Sequence, residues 1–389
     1  MKYDFDKLID RKNTSCLKYD FAERYGRSDG LLPLWIADMD FRTPEVVLDA
    51  IRARLDHGIF GYTSPDQSYF RVVSRWFERR HGWSPRPEAF VNSCGVVFAL
   101  GALLRVVTER EDGVIICQPV YYPFEKIVRG SGRKLVVSQL QLADGHYGID
   151  FEDFEKKIVE NGVKAFIMCS PHNPVGRVWT RAELERIGDI CMRHGVFVIS
   201  DEIHADFAFD GHRHLPFASV REEFADRCAV CTAPSKTFNI AGLQVSNIYI
   251  SDDGVRAAYE RELDSLGYGE PNVLGLTACV AAYEHGAEWL DELKGYLKDN
   301  FDFLRAYLKE NLPEIVLIEP EGTYLAWLDC RALHLSDEEL EALMGRAGLW
   351  LDDGYIFGEG GSGFERMNLA CPRAVLKTAL ERLKSAIKR

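Results

Sequence analysis

A chain of 389 residues with 47% hydrophobic content is long enough to bury two cores, and its formal charge of −13 disfavours nucleic acid and other polyanions as partners. No apolar run approaches a bilayer-spanning length, and the opening MKYDFDKLID lacks the basic-then-apolar pattern of a secretory signal, so a cytoplasmic protein without a membrane partner is expected. The ten cysteines are scattered, often within apolar runs such as VIICQP and AFIMCS, and read as reduced core residues. The close pair Cys228 and Cys231 has no second pair at zinc-like spacing, so no metal is expected.

In chain order, PEVVLDAIRARLDHG puts Val47, Ala50, Ile51 and Leu55 on one helical face, with Pro44 at its start and Gly58 after its end. Short continuous apolar runs follow: VIIC, KLVV, AFIMC, VFVIS, AVCT and VSNIYI. Runs without alternation suit strands covered on both faces. Between them, TRAELERIGDICMRHG opens with a capping box, Thr180 with Glu183, and sets Leu184, Ile187 and Cys191 on one side before stopping at Gly195. The pattern predicts an α/β fold, a mainly parallel, doubly wound sheet with flanking helices. After about residue 285 the texture changes to a long helix, EWLDELKGYLKDNFDFLRAYLKENL, then to strand-like EIVLIEP, TYLAWLDC and ERMNLAC around a helix in SDEELEALMGRAG. A large domain over 47–285 and a smaller α+β domain built from 1–46 and 286–389 are therefore expected.

Ligands of a doubly wound sheet bind outside the carboxyl ends of its strands. After AFIMC comes SPHNPVG, a turn presenting Asn173; after VFVIS comes DEIH, with Asp201 and His204; after AVCT comes Lys236 in APSKTFNIAGLQ. Gly95 of NSCGVV precedes a helix whose first amides can face an anion. QPVYYPF supplies Tyr121 as a stackable ring. An amine that condenses with an aldehyde, a carboxylate for a pyridine nitrogen, an amide for a ring oxygen, a ring to stack and a phosphate cradle are the parts required by pyridoxal 5'-phosphate. Arg373, just beyond the strand of RMNLACPR, is the expected grip for a substrate carboxylate. GEGGSG at 358–363 reads as a loop near Arg373 rather than a dinucleotide fingerprint, and HADFAFDGHRH as a solvated turn.

The set LPLWIADMDF, FGYT, SPHNPVGRVW, SDEIHADF, APSKTFNIAGLQ, AAYEHGAEWLDEL and MNLACPR resembles the pyridoxal phosphate enzymes of aminotransferase fold type I. More narrowly it resembles the MalY/PatB branch, the cystathionine β-lyase or cysteine-S-conjugate β-lyase group. The resemblance implies a homodimer with shared active sites acting on a small amino acid. It makes Lys236 the residue bonded to the cofactor and Asp201 the partner of the pyridine nitrogen. Asn173 and His204 then lie near the ring oxygen and Tyr121 on the ring face. The phosphate is left to the amides of Gly95, Val96 and Val97, to Ser235, and to Tyr62 of the neighbouring subunit. Ala233 and Gln244 depart from the wider aminotransferase pattern, which has a phosphate-binding serine and an arginine at these places.

The expected chemistry is α,β-elimination from a sulfur-bearing amino acid to thiol, pyruvate and ammonia. Lys236 is the base at Cα, and Tyr121 or Tyr62 protonates sulfur or orients the substrate. Transamination shares every step up to the carbanion and is the alternative outcome. A regulatory protein-binding role on the same fold is the other. The leaving group's size is expected to be read by walls near Trp35, Met39 and Tyr355.

Overall fold

The computed structural model describes residues 2–209 and 211–388, so Asp210 of the expected DG turn lies outside the described residues. Eight strands make the main sheet: β1 (Phe90–Ser93), β2 (Gly113–Gln118), β3 (Lys134–Ala143), β4 (His146–Ile149), β5 (Val163–Cys169), β6 (Phe197–Asp201), β7 (Cys228–Thr232) and β8 (Ser246–Ile250). Their order is β1-β8-β7-β6-β5-β2-β3-β4. The run β7-β6-β5-β2-β3 is parallel, while β8 is antiparallel to both β7 and β1, and β4 pairs antiparallel with β3. Two reversals restore direction, so β1 ends at the same edge as the parallel strands.

The unbroken apolar runs have a direct cause: alternate residues enter two different cores. On β2, Val114 and Ile116 face one core and Ile115 and Cys117 the other; on β7, Ala229 and Cys231 oppose Cys228 and Val230. Cys228 and Cys231 are thus free, buried packing residues. The run KLVV is the exception, being the start of a ten-residue strand with an alternating, half-exposed pattern, because β3 lies next to the edge.

Helix Arg181–Arg193 carries the reciprocal capping box of Thr180 and Glu183 and buries Leu184, Ile187 and Cys191. Helix Glu45–His57 differs from expectation at Leu55, which is 49% exposed, while Val47 is fully buried. The four-stranded antiparallel sheet comprises β9 (Val316–Ile318), β10 (Leu325–Asp329), β11 (Asp352–Asp353) and β12 (Phe364–Asn368), in the order β9-β10-β12-β11. The long helix Ala287–Asn311 packs on this part of the chain. Leu32–Pro33 pairs in parallel with Leu349–Trp350, tying the N-terminal segment to it. No helix among the described residues is long and apolar enough to cross a membrane.

Candidate active site

At the carboxyl edge of the large sheet, one cavity of about 190 Å³ is lined by Gly95, Val96, Val97, Tyr121, Asn173, Asp201, His204, Ser235 and Lys236. Nine of the residues expected from sequence therefore converge, carried by the ends of five strands, β1, β2, β5, β6 and β7, or by the segments that follow them. Ala37, Cys94, Cys169, Ile203, Ala241, Gln244 and Val245 complete the wall, and sequence reasoning had assigned none of them a site role. Gln244 stands in the left-handed region, φ 51°.

Lys236 sits on the four-residue helix Pro234–Thr237, which follows β7 directly. Its Nζ donates to the carbonyl of Ala37 at 2.7 Å. Burial pulls the ammonium down to about 8, against the attraction of Asp38 and Asp201 and with the help of Arg366. Asp201 ends β6, and burial pushes its carboxyl up to about 7, opposed by the Ile203 amide it accepts at 3.1 Å and by Lys236. An acid held this way sheds its proton once a cation is set against it. Burial also holds His204 well below its ordinary value, and its Nδ1 has no hydrogen-bond partner.

Asn173 is fixed by its turn. His172 N–H donates to the Arg177 carbonyl and Gly176 N–H to the His172 carbonyl, both at 2.8 Å, and Tyr121 N–H donates to the Asn173 carbonyl at 3.1 Å. Gly176 has φ +73°, and a Cβ there would press on Pro320 at 3.2 Å, so the turn requires glycine. The Asn173 Oδ1 accepts from Arg366 at 3.0 Å, which leaves its amide NH2 as the free donor. Helix Val96–Val107 starts after Gly95, and its first-turn amides lack helical acceptors. Tyr121 packs beside Phe124, and burial raises its phenol, keeping the hydroxyl protonated.

The expectation for Arg373 fails on geometry. Pro372 turns the chain into helix Arg373–Ile387, and the guanidinium packs away from the cavity: its Nε donates to Asn300 Oδ1 at 2.7 Å and it lies 4.7 Å over the Phe303 ring. The arginine that meets the site is Arg366, inside β12 and 2% exposed, reaching Asn173 Oδ1, the Trp35 carbonyl at 2.7 Å and the Asp352 carboxylate. No local pattern marked it, because its strand reads FERMN and holds Glu365 and Asn368 as well, all buried by segments distant in the chain. Tyr62 is 99% exposed and touches none of this cavity within its own chain.

The glycine-rich loop is likewise misplaced by the sequence reading. It packs not beside Arg373 but on β2, where Glu359 N–H donates to Gln118 Oε1 at 3.1 Å. Beyond Arg366 a second cavity of about 410 Å³ is lined by Tyr25, Trp35, Tyr122, Trp350 and Tyr355 among others. Trp35 and Tyr355 line this hollow and not the cavity of Lys236, whereas Met39 lines a separate hollow with Arg11 and Asn239.

The donor set fits pyridoxal 5'-phosphate. A depressed amine, a carboxyl awaiting a cation, an oriented amide, a partnerless imidazole nitrogen, a phenol ring and open helix-start amides face one volume.

Comparison with known proteins agrees. The family model for aminotransferase class I and II matches residues 30–383. Cystathionine beta-lyase PatB of Bacillus subtilis is 46% identical over 386 residues, covering 99% of this chain and all of the relative. Protein MalY of Escherichia coli is 38% identical over 99% of both chains. Cystalysin from Treponema denticola, whose crystal structure contains pyridoxal 5'-phosphate, superposes with a TM-score of 0.96 at 40% identity over 100% of this chain and 99% of its own.

Proposed function

Because this chain belongs to the aminotransferase class I and II family, in its MalY/PatB branch of pyridoxal phosphate enzymes, we propose that it is a carbon–sulfur β-lyase. It takes cystathionine, cysteine or a cysteine S-conjugate to thiol, pyruvate and ammonia. The observation that carries this reading is the Lys236 amine, lowered to about 8 and sharing one cavity with Asp201 and Asn173.

When bound, pyridoxal phosphate supplies the electron sink for the pair left at Cα. The chain supplies the rest. Asp201 would hold the proton on the pyridine nitrogen by charge, Asn173 and His204 would serve the ring oxygen, and Tyr121 would supply the stacking ring. The amides of Gly95, Val96 and Val97 and the Ser235 hydroxyl would hold the phosphate. Arg366 replaces Arg373 as the guanidinium for the substrate carboxylate; its place beside Asn173 supports this. Lys236 Nζ, neutral in a large fraction of molecules near pH 8, removes the Cα proton. The Tyr121 hydroxyl, kept protonated by burial and facing the same cavity as Lys236, is the proposed acid for the departing sulfur, with Tyr62 of the neighbouring subunit as the alternative. The hollow of Tyr25, Trp35, Tyr122 and Trp350, which adjoins Arg366 through Asp352, would take the substrate's part beyond sulfur.

The test is direct. Purified protein with cystathionine and no keto acid is expected to release pyruvate and homocysteine. Turnover only when a keto acid is added would assign it to transamination instead.

Uptake of cofactor should follow the lysine. The amine must be neutral to bond the aldehyde, and its value is about 8, so the rate at which apoprotein takes up pyridoxal phosphate rises with pH from 6, reaches half its plateau near 8 and levels about one unit higher. Stopped-flow absorbance across that range checks it, and a flat profile contradicts it.

The assembly is read as a homodimer with shared sites. The stretch after helix Glu45–His57 exposes Ile59 at 66%, Phe60 at 54% and Tyr62, a patch that solvent disfavours and a second copy would cover. Sedimentation should give twice the 44.2 kDa of one chain, and Phe60→Asp should shift the species towards monomer with a loss of phosphate affinity. The same reading takes 47–285 as the cofactor domain, with 1–46 and 286–389 as the smaller one. It also puts the enzyme in the cytoplasm, in keeping with ten unpaired cysteines.

A further inference from the structure

Behind the cavity wall stand two buried carboxylates that the proposed chemistry does not use. Glu202 follows Asp201 and points to the opposite side, where it accepts from Ser200 Oγ at 2.8 Å, from Phe217 N–H at 2.9 Å and from His214 Nε2 at 2.8 Å. Asp206 lies two residues past His204 and is 7% exposed. Its Oδ1 accepts from His81 Nε2 at 3.1 Å, and its Oδ2 from Trp76 Nε1 at 3.3 Å and from Thr237 Oγ1 at 2.7 Å. The two histidine rings meet edge to face at 5.4 Å.

Thr237 is the neighbour of Lys236, and that adjacency gives Asp206 its meaning. The short helix Pro234–Thr237 has no side-chain cap at its start, and four residues cannot hold a helix by themselves. On the other side, the segment from Asp201 to Phe207 is made of successive turns, with Ala205 N–H donating to the Glu202 carbonyl at 3.0 Å and Phe207 N–H to the His204 carbonyl at 2.9 Å. Asp206 therefore bolts the turn that carries Asp201 and His204 to the helix that carries Lys236.

The carboxylate suits this use. Despite full burial it is held below its usual range by His81 and Thr237, so it stays ionised and accepts strongly from all three donors. A misplacement of about 1 Å between base and substrate can cost on the order of 100-fold in rate.

We propose that Asp206 is a positioning residue which, through the Thr237 hydroxyl, sets the Lys236 amine against the wall formed by Asp201 and His204. This rests on the proposed cofactor and goes beyond it, since neither Asp206 nor Thr237 lines the cavity.

Thr237→Val keeps the shape and removes only the donor; Thr237→Ser keeps the donor. Asp206→Asn is the companion variant, and its melting temperature reports whether it folds. In Thr237→Val we expect a melting temperature close to wild type and retained cofactor. We expect kcat to fall about tenfold or more with KM within about twofold, by the geometric argument above. The midpoint of the pH titration of the visible band should shift by a measurable fraction of a unit, and Thr237→Ser should return both readouts to near wild type.

Unchanged kcat and titration in Thr237→Val, or a serine variant as impaired as the valine one, overturns the inference while leaving the lyase reading intact. A wild-type protein that develops no visible band with pyridoxal phosphate overturns the cofactor reading, and this inference with it.

Discussion

Lys236→Ala is expected to lose the visible absorbance band that wild type shows with pyridoxal phosphate, and at least about a thousand-fold in kcat, the range spanned by removing a positioned base and covalent anchor together. Among the described residues the amine's hydrogen-bond partner is the Ala37 carbonyl, at 2.7 Å. Burying it already costs free energy, as its lowering to about 8 records. Truncation therefore removes a desolvated charge and leaves one carbonyl to a water, so the apoprotein should melt within a few degrees of wild type. Absorbance, pyruvate release and calorimetry on the same preparation check the claim. An alanine variant with wild-type activity would remove the basis of the proposed function, whereas loss of activity together with unfolding would contradict the account of the lysine as structurally dispensable.

Arg366→Gln is expected to raise KM by about 10- to 100-fold, the worth of a charge-assisted hydrogen bond to a carboxylate of about 1.5–3 kcal/mol. It is also expected to cost about 3–5 kcal/mol of stability, because Asp352 is left buried without its cation. The two losses separate by pH. With Arg366 present, burial already pushes the Asp352 carboxyl up to about 6. Without the arginine it rises further above its unfolded value.

An acid whose folded value is raised favours the folded state when protonated, so the variant's deficit should be small near pH 5 and grow as pH rises towards 8. Asp352→Asn added to Arg366→Gln should restore melting temperature and not KM. Recovery of both would mean that the arginine serves the fold alone. Arg373→Gln, by contrast, should leave KM near wild type, since its guanidinium is spent on Asn300 and Phe303.

The contrast between the two arginines marks where sequence stops being legible. Arg373 follows a strand and a proline, the place where a doubly wound sheet puts its ligand contacts, and it belongs instead to a helix start packed on Ala287–Asn311. Arg366 lies mid-strand in FERMN, where all five residues are buried. Its inner face exists only because the Trp35 carbonyl and Asp352 arrive from elsewhere in the chain. Leu55 is a smaller case. Its helical periodicity is right and its burial wrong, because a periodic stripe states which face is apolar and not what covers it.

What the sequence determined by itself is whatever depends on near neighbours. The capping box at Thr180, the apolar runs of β2, β5, β6 and β7, and the turn that holds Asn173 each follow from a few adjacent residues. So does the presence of Lys236, Asp201, Asn173 and Tyr121 at one edge, because parallel strands joined by crossovers must all end on the same side; Gly95 reaches that edge because the two antiparallel pairings of β8 restore the direction of β1. Tertiary structure alone decided the Ala37 carbonyl under Lys236, the substitution of Arg366 for Arg373, and the Asp206 bridge to Thr237. Each joins segments between 31 and 331 residues apart. Hydrogen bonds and burial act on distance in space, and no local pattern encodes which distant backbone will stand opposite a given side chain.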